Sequence, residues 1–186
     1  MHDNRGDTLV EVIVAFAVFA LVAVSAVTLM NRGIAIAQDS LETSLVRQQI
    51  DAQADLLRYA RDENTTVWKN DILGNLVVTP ADRAWAVSSN CSNAPASAFV
   101  LRATPGPSPV VQRVDTSSSA GYVASDTYSF VEAGGQSHGL WIQATQAQTQ
   151  AGSILAYDMH IRSCWYGLTD GETPRSQATI VRLYAN

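Results

Sequence analysis

The chain has 186 residues and a formal charge of −5, from 12 Lys and Arg against 17 Asp and Glu. Its single lysine is Lys69 and it has no basic cluster, which argues against a nucleic-acid surface, since such surfaces carry a stripe or patch of Lys and Arg. Setting aside the long N-terminal helical pattern leaves about 110 to 120 residues, enough for one hydrophobic core.

Residues 1–6 are short and charged, with one Asp and one Arg, and end in Gly6. After Asp7-Thr8-Leu9-Val10-Glu11 come nineteen residues, Val12 to Met30, without a charge. Ser25 and Thr28 are their only polar side chains. As a helix this run covers about 28 Å, close to the hydrocarbon thickness of a bilayer. A secretory signal has an apolar core of roughly 7 to 15 residues and a small-residue cleavage site behind it. Here the run is longer, and Asn31-Arg32-Gly33 offers no such site. Arg5 and Arg32 lie on opposite flanks, so the distribution of positive charge does not set the orientation.

The helical pattern continues past the span. Ile34, Leu41, Leu45, Ile50, Leu56 and Leu57 recur at helical spacing, with Gln38, Asp39, Glu42, Arg47, Gln48, Asp51 and Asp55 between them. This predicts an amphipathic helix with one apolar stripe. No proline occurs before Pro80, and Gly33 is the only glycine between Asp7 and Leu73. One helix is expected from Asp7 to about Arg61, roughly 55 residues and 80 Å.

Glu11 needs an explanation at the edge of such a span. A carboxylate there is costly unless it reaches the interface, takes a proton or is paired. Its place in the first helical turn, where the dipole favours negative charge, supplies one reading. Gly6 supplies another. Cleavage after it would leave a free amine on Asp7, four residues before Glu11. In a bundle of staggered parallel helices, the amine of one copy could meet Glu11 of the next, and each would neutralise a charge that is costly to bury alone.

The segment Gly6-Asp7-Thr8-Leu9-Val10-Glu11-Val12-Ile13-Val14-Ala15-Phe16 resembles the class III signal of type IV pilins and type II secretion pseudopilins. It is most similar to the minor-pilin group related to the type IV pilus modification protein PilV and the secretion pseudopilin GspI. The resemblance implies that a prepilin peptidase removes the leader on the cytoplasmic side after Gly6 and methylates the new amine of Asp7. It implies that Glu11 aligns subunits during assembly. The helix would rest in membrane lipid, then enter a filament core through contacts with other pilin subunits and a pilus assembly platform. The implied location is the cytoplasmic (inner) membrane, single-pass, with the C-terminal domain outside the cytoplasm, then the pilus or cell surface. The implied fold is α+β, a long N-terminal helix with a membrane-spanning first half and an amphipathic second half, packed against a C-terminal antiparallel β-sheet. Pili of this family serve adhesion, twitching motility or DNA uptake. Asp7 stands where the family often has Phe or Met, and the span lacks the proline that often kinks major pilins. The first departure bears on methylation of the new amine, and the missing proline fits a minor subunit or pseudopilin better than a major one. Two alternatives stay open: a minor pseudopilin of a type II secretion-like machine, and a single-pass adhesin or receptor that never polymerises.

The expected segments are a leader at 1–6, a transmembrane and assembly segment at 7–30, the amphipathic half-helix at 31–61, a variable connection at 62–97 and a β-sheet domain at 98–186. The connection is mixed in composition, with Trp68, Trp85 and turn signals at Gly74-Asn75 and Thr79-Pro80. Strands are expected at 98–104, 110–114, 128–131, 140–144, 154–166 and 178–184, with loops at 105–109, 117–121, 134–135 and 167–174. In 154–166, Leu155, Tyr157, Met159, Ile161 and Trp165 share one face, while Asp158, His160 and Arg162 share the other. This is a period-two strand with one buried side. A sheet covering a helix is the natural layered solution.

Cys91 and Cys164 fit neither a CxxC redox pair nor a zinc knuckle. Outside the cytoplasm they are candidate disulfide partners, pinning the connection to the sheet; the alternative is two free, buried small residues. Asp158, His160 and Glu172 form an incomplete metal set, and His138 has no identifiable base or nucleophile beside it. There is no phosphate loop, HExxH helix or GxSxG elbow. No catalytic residue, metal or cofactor is expected, and Trp85, Trp141 and Trp165 read as packing.

Overall fold

The structure is a computed structural model, and it describes residues 5–79, 97–106, 108–113, 139–150, 153–166 and 173–185. By internal contacts the chain divides into Met1–Ser40 and Leu41–Asn186. Helix α1, Arg5–Glu63, is 59 residues long. It starts two residues before the expected Asp7 and ends two after Arg61. Gly33 neither ends it nor touches anything, because a methyl placed there would meet no atom within 4 Å.

Over the apolar span of the first unit, Leu9, Phe16, Phe19, Leu21 and Leu29 are 64–72% exposed. Among the described residues α1 is the one helix long and apolar enough to cross a membrane. Its two hydroxyls are satisfied from within. Ser25 Oγ donates to Leu21 O and Thr28 Oγ1 to Val24 O, both at 2.8 Å. Such back-bonding to the preceding turn leaves no polar side chain in the span demanding water.

In the second unit the far half of α1 packs on a sheet. Its buried residues are Glu42, Val46, Ile50, Ala54, Leu57 and Ala60, at steps of three and four. The expected stripe holds at Ile50 and Leu57, with Leu56 packed against the core, and is corrected at its start. Ile34 and Leu41 are 47% and 61% exposed, and Leu45 is half-buried. The buried face also takes in Val46 and the small residues Ala54 and Ala60. A π-helical turn, Val67–Leu73, follows and buries Val67, Trp68 and Ile72. The Asn64 side chain holds its start: Oδ1 accepts from Val67 N at 3.2 Å, and Nδ2 donates to Ser108 Oγ at 2.6 Å.

The sheet contains β1 (Val77–Val78), β2 (Phe99–Arg102), β3 (Val110–Arg113), β4 (Leu140–Gln150), β5 (Ser153–Tyr166) and β6 (Pro174–Tyr184). Its order is β3-β2-β4-β5-β6, antiparallel throughout, with β1 added parallel to β4 at Val77↔Ala144 and Val78↔Thr145. The mixed connection thus contains two elements that no sequence pattern announced. β4 is longer than expected because its polar run to Gln150 pairs with the start of β5 across a bulge. Pro174, expected in a loop, opens β6 opposite Tyr166; the first position of a strand is where proline is tolerated. The expected strand 128–131, Trp85 and the loops at 117–121 and 134–135 lie outside the described residues.

The face toward α1 carries Ile142, Ala144, Tyr157, Met159, Ile161, Trp165, Val181 and Leu183 in one core with the helix residues. Trp68 meets Tyr157 edge to face, with centroids 6.2 Å apart. The opposite face departs from the expected exposed polar side. Trp141, Gln143, Thr145, His160 and Cys164 are buried on it, whereas Ile180 and Arg182 of β6 are exposed. Alternation separates two faces but does not say that one of them is wet. Leu155, expected inside, is half-buried.

Candidate assembly segment

Gly6, Asp7 and Glu11 all lie in the first two turns of α1. Four residues separate Asp7 from Glu11, about 6 Å along the axis. Glu11 is exposed on the helix, between Val10 at 60% and Val12 at 56%. Among the described residues it has no ion-pair partner. The helix thus presents one carboxylate at the head of an exposed apolar span, without an ion-pair partner among the described residues.

The other candidate residues are kept apart. Asp158 is taken by Arg182, through Nε at 2.8 Å and Nη2 at 2.9 Å. The hydrogen bond to the Asp158 carboxylate raises the Arg182 guanidinium above its usual pKa, with the carboxylate charge adding to it. His160 Nε2 lies 3.2 Å from Thr145 Oγ1 inside the sheet's second face. No group of three or more His, Cys, Asp or Glu could hold a metal among the described residues; Glu172 and His138 lie outside them. Arg162 stacks over Trp141, 5.6 Å from its centroid, so that ring is a packing partner. Cys164 is buried and disulfide-bonded. The chain's other cysteine, Cys91, lies outside the described residues.

Sequence reasoning missed one polar device. β2 meets β4 only at Phe99↔Ile142. Beyond that point the Gln53 side chain takes the strand's place. Its Nε2 donates to Leu101 O at 2.8 Å, and its Oε1 accepts from Leu101 N at 2.9 Å. No local signal marks a contact 48 residues apart.

Residues 1–27 match the family model of the prokaryotic N-terminal methylation motif. The match includes Gly6, Asp7 and Glu11 and runs into the span. No curated protein and no solved structure matches the chain. The motif is typical of prepilin-like proteins of the type IV pilin family. It heads a long apolar helix whose far half packs on an antiparallel sheet, the general pilin-like α+β fold.

Proposed function

We propose that the chain is a minor type IV pilin of the PilV- and GspI-like group, a non-catalytic structural subunit that primes a pilus or is incorporated into it. The observation that carries this reading is the methylation motif at 1–27, continuous with an apolar helical span that is exposed on every side. A permanent anchor has no use for Glu11, whereas a subunit that exchanges lipid for neighbouring helices does. The missing span proline favours a minor subunit.

In this reading a prepilin peptidase cuts after Gly6 and methylates Asp7. The mature chain waits in the cytoplasmic membrane with residues 31–186 outside the cytoplasm. On transfer by the assembly platform, the Asp7 amine of one subunit pairs with Glu11 of its neighbour. Cys91 partners Cys164, closing a disulfide suited to that compartment. The segments are a leader at 1–6, an assembly segment at 7–30, a half-helix at 31–61, a connection at 62–97 and a sheet domain at 98–186.

Glu11→Ala tests the assembly role. It removes a charge without shortening the span, so membrane insertion should persist. Incorporation into sheared filaments should fall about tenfold or more, as expected when an ion pair in an apolar core loses one partner. Unchanged incorporation would contradict the role.

A further inference from the structure

β6 is the last strand of the sheet, and among the described residues it pairs only with β5. Its register runs unshifted from Tyr166↔Pro174 to Ala156↔Tyr184. Just beyond, Ala185 N donates to Leu155 O at 2.9 Å, which fixes the parity of the ladder. In an antiparallel pair, residues that exchange hydrogen bonds alternate with residues that do not. The odd-numbered residues of β6 therefore bond to β5. The amides and carbonyls of Ser176, Ala178, Ile180, Arg182 and Tyr184 face the open edge.

Natural edges are blunted by proline, bulges, shortness or charge. β6 has 11 residues, no register shift, and its only proline in the first position. Arg182, the one charge in the outward row, is held by Asp158. Beside this edge lies a groove of about 500 Å³, lined by Asp51, Ala54, Asp55 and Arg58 of α1 and by Thr179, Ile180, Val181 and Arg182 of β6, with both arginines already held by Asp55 and Asp158. Asp55 is paired with Arg58 at 2.7 Å, whereas Asp51 has no ion-pair partner among the described residues. On the other face of the strand Ile180 is 58% exposed.

We infer that β6 is a docking edge for an extended segment of a partner protein, which adds as a further strand, aims a Lys or Arg at Asp51 and lays an apolar side chain over Ile180. Main-chain bonds supply affinity in this mode, and alternate side chains supply selectivity. The uncompensated carboxylate in the groove sets the charge of the occupant.

The test uses the full chain in detergent and a synthetic peptide of alternating Val and Thr with one central Lys, read by residue-resolved hydrogen exchange. The peptide should slow exchange at Ser176, Ala178, Ile180, Arg182 and Tyr184. Ala178→Pro removes one outward N–H without breaking the ladder to β5. It should weaken binding about tenfold or more. Asp51→Asn should weaken the Lys peptide and leave a Gln-substituted peptide unaffected. Unchanged exchange in that row, or binding of the Lys peptide by both variants as tight as by the unsubstituted chain, would overturn the inference. Protection that appears without peptide and grows with protein concentration would also overturn it, by assigning the edge to a second copy.

Discussion

Gln53 supplies Leu101 with both a donor and an acceptor, at 2.8 and 2.9 Å, where β4 has already diverged from β2. Removing that amide leaves a buried N–H and C=O without partners, since Leu101 is 2% exposed. Gln53→Ala should therefore lower unfolding free energy by about 2 kcal/mol, measurable by denaturant titration of the soluble part. A loss under about 0.5 kcal/mol, the usual scale of a surface change, would mean that water replaces the amide. Ser25 and Thr28 answer the same need differently, by bonding to their own helix. At this scale the sequence was readable where chemistry is local. Gly6, Asp7 and Glu11 sit within six consecutive residues, so their spacing is visible as text. Gln53 and Leu101 are brought together only by folding, and glutamine at a helical position looks like any solvated residue. Arg61, in the last turn of α1, lies between these cases. It forms a fork with Asp62 at 2.6 and 3.1 Å, and that hydrogen bond holds the exposed Asp62 carboxyl below its usual pKa. Solvent screens such a surface pair.

At the scale of elements, α1 shows both the strength and the limit of periodicity. The absence of proline up to Pro80 made one long helix legible, and its ends fall within two residues of expectation. The buried face was right at Ile50 and Leu57 but missed small residues, because large side chains dominated the reading. Ile34 and Leu41 are apolar but outside, while Ala54 and Ala60 are small and inside. Ala54→Leu tests which face matters. Ala54 is 4% exposed against the core, so added methylenes should force the helix off the sheet and cost about 1 to 3 kcal/mol. Leu41→Ser, on the exposed side, should change stability by no more than about 0.5 kcal/mol. Equal effects in the two variants, compared by urea unfolding, would contradict the assignment of faces. β2, β3 and β5 announced themselves by alternation and β-branched content. β1 did not, because two residues carry no period and its parallel pairing depends on where β4 lies. The second face of the sheet is the other failure: His160 and Cys164 alternate as polar positions should, yet both are buried.

For the whole molecule, the central contrast is between a helix that buries nothing over its membrane-length span and a domain that closes its own core. In the proposed reading the first changes surroundings, from lipid to the helices of neighbouring subunits. The second is built to stay as it is. Glu11 belongs to the first, since its charge has no compensation within its own chain among the described residues. This account depends on a processed N-terminus, because only cleavage after Gly6 creates the amine that Glu11 would meet. Intact-mass and N-terminal peptide mass spectrometry of the chain recovered from filaments tests that step most directly. The account predicts a chain beginning at Asp7, with or without a methyl on its amine. A chain that still carries residues 1–6 in its working form would contradict it.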